Sequence, residues 1–105
     1  MGLFSKKPKG TPMKELLGFH GKRLSYVVER HGGDEEVIGR TGGISIDEEN
    51  GKLTIVCDGK PVADMALEGL ICAELMSHNG ADIKGVDLAT GRQRHLVAHY
   101  SNLRA

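Results

Sequence analysis

Several short stretches of this chain alternate between apolar and polar residues, the period of a half-buried β-strand. The clearest stretch is residues 52–57, in which every second side chain is apolar. Residues 95–100 alternate in the same way, with Leu96, Ala98 and Tyr100 facing one side and His95, Val97 and His99 facing the other. Because successive side chains of a strand point to opposite faces, both stretches predict strands with one face against a core.

Turn-forming dipeptides separate these stretches at intervals of 8 to 11 residues: Asn50-Gly51, Asp58-Gly59, Glu68-Gly69, Asn79-Gly80 and Thr90-Gly91. Gly and Asn reach the positive φ that tight hairpin turns require, so this spacing is typical of short antiparallel strands. The pattern predicts an all-β fold. We expect a small antiparallel meander barrel or a strongly curled sheet of seven or eight strands.

Residues 65–77 fit two structures. Leu67, Leu70 and Ile71 match one face of a helix, and a helix here would make the fold α+β. Gly69 would lie inside that helix, where glycine is unfavourable. We therefore favour a strand in which Ile71 and Leu75 face the core.

The aliphatic and aromatic positions of the alternating stretches give a predicted core: Leu24, Tyr26, Val28, Ile44, Ile46, Leu53, Ile55, Met65, Ile71, Leu75, Ile83, Leu96 and Ala98. The same alternation puts four further apolar residues on the outer face: Val27, Val56, Leu70 and Val97. A sheet face in water does not normally carry so many apolar groups together. These four residues are therefore the predicted protein–protein or self-association interface.

The chain divides into three parts. Residues 1–12 combine lysines, glycines and prolines and predict a flexible basic arm. Residues 13–20 predict a short helical or irregular segment that covers the sheet, with Thr11 as its cap and Pro12 as its first residue. Residues 21–105 predict one β-rich domain.

Charge is unevenly distributed although the net charge is zero. Residues 1–30 contain seven Lys/Arg and two Asp/Glu, whereas residues 31–90 contain four Lys/Arg and twelve Asp/Glu. If the first and last strands pair, the basic residues at their ends should approach each other: Lys22, Arg23, Arg92 and Arg94. Clustered cations bind phosphates, so the alternative function is that of an anion or nucleic-acid binder.

Residues that carry chemistry do not form a recognisable site. His95 and His99 would be about 13 Å apart on a strand, too far to share a metal ion. Cys57 and Cys72 have no neighbouring histidine in sequence that would activate a thiol. We expect no metal, no cofactor and no enzymatic activity.

No secretory leader or apolar stretch long enough to span a membrane is visible, and two cysteines do not form a disulfide framework. The expected location is therefore the cytoplasm. The sequence predicts a small β-rich binding or assembly module that acts through protein–protein contacts or as a homo-oligomer.

Overall fold

The computed structural model describes residues 10–101, and within this range it contains one short helix and seven strands. The elements are α1 (Met13–Leu17), β1 (Arg23–His31), β2 (Asp34–Asp47), β3 (Lys52–Cys57), β4 (Lys60–Ala66), β5 (Ile71–Glu74), β6 (Gly80–Val86) and β7 (Gln93–Tyr100).

All described strands belong to one antiparallel sheet with the order β4-β3-β2-β1-β7-β6-β5. The order consists of two meanders, β1–β4 and β5–β7, joined by the pairing of β1 with β7, with β4 and β5 at the two edges. The sheet is curled but not closed, which confirms the predicted all-β class. The segment at 65–77 contains β5 rather than the helix of the α+β alternative.

The core lies inside the curl and is almost entirely aliphatic, as a chain without tryptophan requires. Helix α1 covers it, because Leu16 and the following Phe19 are buried among the strand residues. The helix begins after Pro12, and Thr11 does not cap it, contrary to the prediction.

A β-bulge in β1 overturns part of the predicted core. Leu24 pairs with Tyr100 and Tyr26 pairs with His99, so Ser25 is an extra residue between two successive residues of β7. The bulge shifts the alternation by one position beyond Leu24. Val27 therefore enters the core, and Tyr26 and Val28 lie on the outer face.

In β5 the register differs by one residue from the predicted one, which reverses the predicted burial of two further residues. Cys72 pairs with the core residue Ile83 and is buried, whereas Ile71 is exposed and Leu75 lines the outer face. Because the side-chain period is two, a register error of one residue exchanges the two faces of a strand. The prediction that Ile71 and Leu75 belong to the core was wrong.

The turns lie where the sequence predicts them, but the length of the loop and the residue with positive φ are not always the predicted ones. Asp58 and Gly59 both have positive φ and form the two-residue hairpin between β3 and β4. Between β5 and β6, His78 has positive φ, and the loop is longer than the predicted Asn79-Gly80 turn.

Contacts within the chain cover part of both edges of the described sheet. On β4, the carbonyl of Asp64 accepts a hydrogen bond from the Leu88 amide at 2.8 Å. On β5, the Thr11 amide donates to the Leu70 carbonyl at 2.8 Å. The Thr11 hydroxyl accepts from the Cys72 amide at 2.8 Å and donates to the Cys72 carbonyl at 3.1 Å. Gly10 packs closely here, since a Cβ at this position would lie 2.5 Å from the Leu70 carbonyl oxygen.

Candidate functional site

An open groove crosses the outer face of the sheet. A cross-strand row runs along it, with one residue from each of five adjacent strands: Ala73, Asp82, Val97, Val28 and Val37. The last four form the floor of the groove, and Ala73 is exposed at the β5 end of the row. Residues directly opposite each other in antiparallel strands point to the same face, so these five side chains lie in line. At about 4.8 Å per strand the row is about 19 Å long.

The walls of the groove are the neighbouring rows, two residues away along the strands. One wall contains Leu75 and the pair Tyr26 and His99, whose rings stack with centroids 4.3 Å apart and an interplanar angle of 14°. The other wall contains Arg30 and Glu35. Together these residues enclose an open groove of about 580 Å³.

The floor is apolar and well packed at its centre. Val28 is 6% exposed and Val97 is 8% exposed, although neither belongs to the core inside the curl. Their neighbours in the walls cover them, whereas Val37, at the β2 end of the row, is 43% exposed. The groove therefore offers a small apolar surface with one accessible end.

Charged groups around the groove are already paired with each other. Arg30 Nε lies 3.2 Å from Glu35 Oε2, and His95 Nε2 contacts Asp82 Oδ1. With the imidazoles neutral, the charged lining residues Arg30, Glu35 and Asp82 carry a net charge of −1.

The structure separates the four residues of the predicted interface. Val97 lies in the floor of the groove and Val56 is half-buried on β3. Val27 and Leu70 are completely buried core residues, so they are not part of an outer face. The bulge at Ser25 explains the error at Val27. Sequence reasoning missed Val28 and Tyr26, and only the register of β1 against β7 reveals them.

The predicted basic cluster does not form either. β1 and β7 do pair, but antiparallel pairing places Arg23 beside Ser101 and Arg94 near the other end of β1, about 20 Å away along the strands. Lys22 lies over the Tyr100 ring at 4.9 Å. Arg94 is engaged in ion pairs rather than free to bind a phosphate.

Arg94 forms the centre of a half-buried cluster on the inner side of the sheet. Its guanidinium donates to both Glu29 carboxylate oxygens at 2.8 and 2.9 Å, lies 3.8 Å from Asp87 and donates to the Val62 carbonyl at 3.5 Å. The hydrogen bonds from Arg94 lower the pKa of Glu29 and raise that of Arg94. The cluster links β1 and β7 to the edge strand β4, which indicates a structural role.

The described side chains present no group of three or more His, Cys, Asp or Glu residues that could hold a metal ion. Both cysteines are buried, and burial raises the pKa of the Cys72 thiol to about 12, which disfavours the reactive thiolate. The Asp82–His95 pair has no nucleophile among its described hydrogen-bond partners.

Over residues 10–101, no helix combines the length and apolar character needed to cross a membrane. Comparison of the chain with protein-family models, with curated proteins and with solved structures finds no match.

Proposed function

We propose that this chain is a non-enzymatic binding module that holds an extended segment of a partner protein in the groove across β5, β6, β7, β1 and β2. The observation that carries the proposal is the buried apolar floor, Val28 and Val97, on the outer face of the sheet. It lies beside a stacked aromatic wall, the kind of surface on which an apolar side chain of a ligand packs.

The size of the groove favours a segment over a folded partner. A row about 19 Å long and walls about 13 Å apart cover about 250 Å². A stable interface between folded proteins buries about 800 Å² on each partner. Homo-oligomerisation through this face alone would therefore be weak, whereas a segment of about six residues fits the length of the row.

The outer face of the sheet is a more accessible binding surface than the two sheet edges. A partner strand that added to β4 or β5 would have to displace the contacts of Leu88 or Thr11. Strand addition draws its affinity from free backbone groups, and these contacts already occupy several of them. The groove needs no such displacement.

Nucleic-acid or anion binding has less support. The basic residues Lys22, Arg23, Arg92 and Arg94 lie at two ends of the β1–β7 pair, and Arg94 is neutralised by Glu29. Phosphate binding gains affinity from several free cations in one place. We therefore propose a protein segment as the ligand.

Selection from a displayed random-peptide library tests the proposal. We expect peptides that bind the wild-type chain and lose at least about ten-fold in affinity to Val37→Glu, because the new carboxylate would have to be desolvated beneath the ligand. Val86→Glu is the matched control: Val86 is 39% exposed on β6, on the same face, but does not line the groove.

The comparison of the two variants decides the outcome. Peptides whose affinity falls for Val37→Glu and not for Val86→Glu support the groove as the binding site. If no peptide is selected, or if both variants bind every selected peptide as well as the wild type does, the proposed function is wrong.

A further inference from the structure

One charged side chain belongs to the floor of the groove. Asp82 lies at the β6 end of the floor, which continues through Val97, Val28 and Val37. The side chain of Asp82 is 33% exposed, so a segment bound along the row would cover a carboxylate that water now reaches. The chemistry of the ligand side chain above Asp82 therefore affects the affinity of the groove.

Within the described residues, only one oxygen of this carboxylate has a partner. Asp82 Oδ1 contacts His95 Nε2, and no hydrogen bond or ion pair among the described residues uses Asp82 Oδ2. Arg30 is held by Glu35 at 3.2 Å. Lys84, two residues along β6, is exposed and forms no ion pair with Asp82 in the described part of the chain. A ligand that covers Asp82 must therefore supply a donor or leave an acceptor unsatisfied.

A lysine or arginine of the ligand satisfies this requirement best. Covering an ionised carboxylate costs free energy unless a charge-assisted hydrogen bond replaces its water. A basic side chain supplies both the donor and the opposite charge, whereas an apolar side chain supplies neither and an acidic one adds repulsion. The groove therefore favours a cation at its β6 end and an apolar side chain at its β2 end, where Val37 is 43% exposed.

The strand spacing determines how far apart these ligand residues lie in sequence. At about 4.8 Å per strand, Val28 is about 10 Å from Asp82 and Val37 is about 14 Å from it. Alternate side chains of an extended chain point to the same face at intervals of about 7 Å. A cation above Asp82 would thus be followed two residues later by a side chain above the Val97–Val28 pair. Four residues after the cation, at about 13 Å, the next side chain would lie above Val37.

We infer that the ligand is an extended segment of the pattern basic-x-apolar-x-apolar, in either chain direction, with its Lys or Arg on Asp82 and its last apolar side chain on Val37. This inference rests on the proposed function and names the class of segment that binds in the groove. It makes Asp82 the residue that determines specificity, whereas Val28 and Val97 supply a buried surface on which any apolar side chain can pack.

The peptides selected on the wild-type chain test the pattern. We expect them to carry a Lys or Arg two and four positions away from apolar residues. Asp82→Asn keeps the volume of the side chain and should weaken their binding by about ten-fold or more, because a hydrogen bond between charged groups is lost. Glu35→Gln is the matched control, since it removes the same charge from the lining but from a carboxylate already paired with Arg30. The affinity of this control should change by about three-fold at most.

A selected peptide in which methionine replaces the cation gives the second measurement and requires no change to the protein. We expect the wild-type chain to bind this peptide about ten-fold more weakly than the parent peptide, and Asp82→Asn to bind it as tightly as the wild type does. This double-mutant cycle isolates the contact between the cation and Asp82. Unchanged core methyl resonances in NMR spectra of Asp82→Asn show that the fold is intact.

Three results overturn the inference: selected peptides without a cation at these spacings, equal losses of affinity in Asp82→Asn and Glu35→Gln, or losses in the double-mutant cycle that simply add. Peptides whose affinity depends on Val37 but not on Asp82 would overturn the pattern and leave the proposed function standing. If no selected peptide depends on Val37, the proposed function is wrong, and the inference that rests on it is wrong as well.

Discussion

Arg94 connects parts of the chain that are far apart in sequence. It holds Glu29, which is 65 positions away in the sequence, and it also reaches Asp87 and the Val62 carbonyl. Both side chains of the Arg94–Glu29 pair are less than one-fifth exposed, so water weakens the pair little. Loss of one partner would leave a half-buried charge without compensation.

The pH dependence of stability should reveal this pair. The folded-state pKa of Glu29 lies below the unfolded value of 4.5, so its contribution is present above 4.5 and is lost as the pH falls through the folded value. We expect Glu29→Gln to lower the free energy of unfolding at neutral pH by about 1–3 kcal/mol. The difference from the wild type should shrink in acid, as measured by urea unfolding.

Glu35→Gln is the control for this prediction. Glu35 pairs with Arg30 on the surface, where both side chains are about half exposed. Exposed pairs contribute little, so the change should be no more than about 1 kcal/mol at any pH. Equal losses in the two variants, or a Glu29→Gln difference that persists in acid, would contradict the role assigned to Glu29.

At the scale of elements, the segment before α1 behaves as a short cover for the β5 edge. The Thr11 hydroxyl satisfies both the amide and the carbonyl of Cys72, and the Thr11 amide satisfies the Leu70 carbonyl. An edge strand of four residues gains little from its single neighbour β6, so these three hydrogen bonds matter for its order.

We expect Thr11→Val to destabilise the fold by about 1–2 kcal/mol, because the Cys72 amide loses its acceptor while the volume of the side chain is kept. Urea unfolding measures the loss, and hydrogen exchange should become faster at the Cys72 amide. Thr11→Ser keeps the hydroxyl and should resemble the wild type. Equal exchange rates in all three chains would show that the contact does not order β5.

The sequence correctly predicted the buried face of those strands in which apolar and polar residues alternate without interruption. In β3 the buried residues are the ones that the period of two selects, and the Asp58-Gly59 hairpin forms where its φ preferences allow. In β7 Leu96 and Ala98 are buried as predicted, and Val97 between them is buried as well, on the other face. The β1 bulge and the β5 register depend on the partner strand and leave no local signal. The groove centre was therefore only partly predictable: Val97 was found, but Val28 and Tyr26 were not.

At the scale of the whole molecule, we expect the chain to be monomeric. Both sheet edges carry intramolecular contacts, and the groove is smaller than a standard interface. We expect light scattering coupled to size-exclusion chromatography to give the mass of one chain, 11.3 kDa, at low and high salt. A dimer that persists at high salt would show that a larger apolar surface is buried between copies.

The pairing of β1 with β7 has a consequence for folding kinetics. Over residues 10–101, five of the six strand pairings join consecutive strands, and β1–β7 alone joins the first strand to the last. Closing so long a loop is entropically costly, so the two meanders should form first and dock late. Val28 and Val97 face each other across this junction. A segment bound in the groove would therefore contact both strands of the pair that forms last. It would hold β1 and β7 together and slow the first step of unfolding.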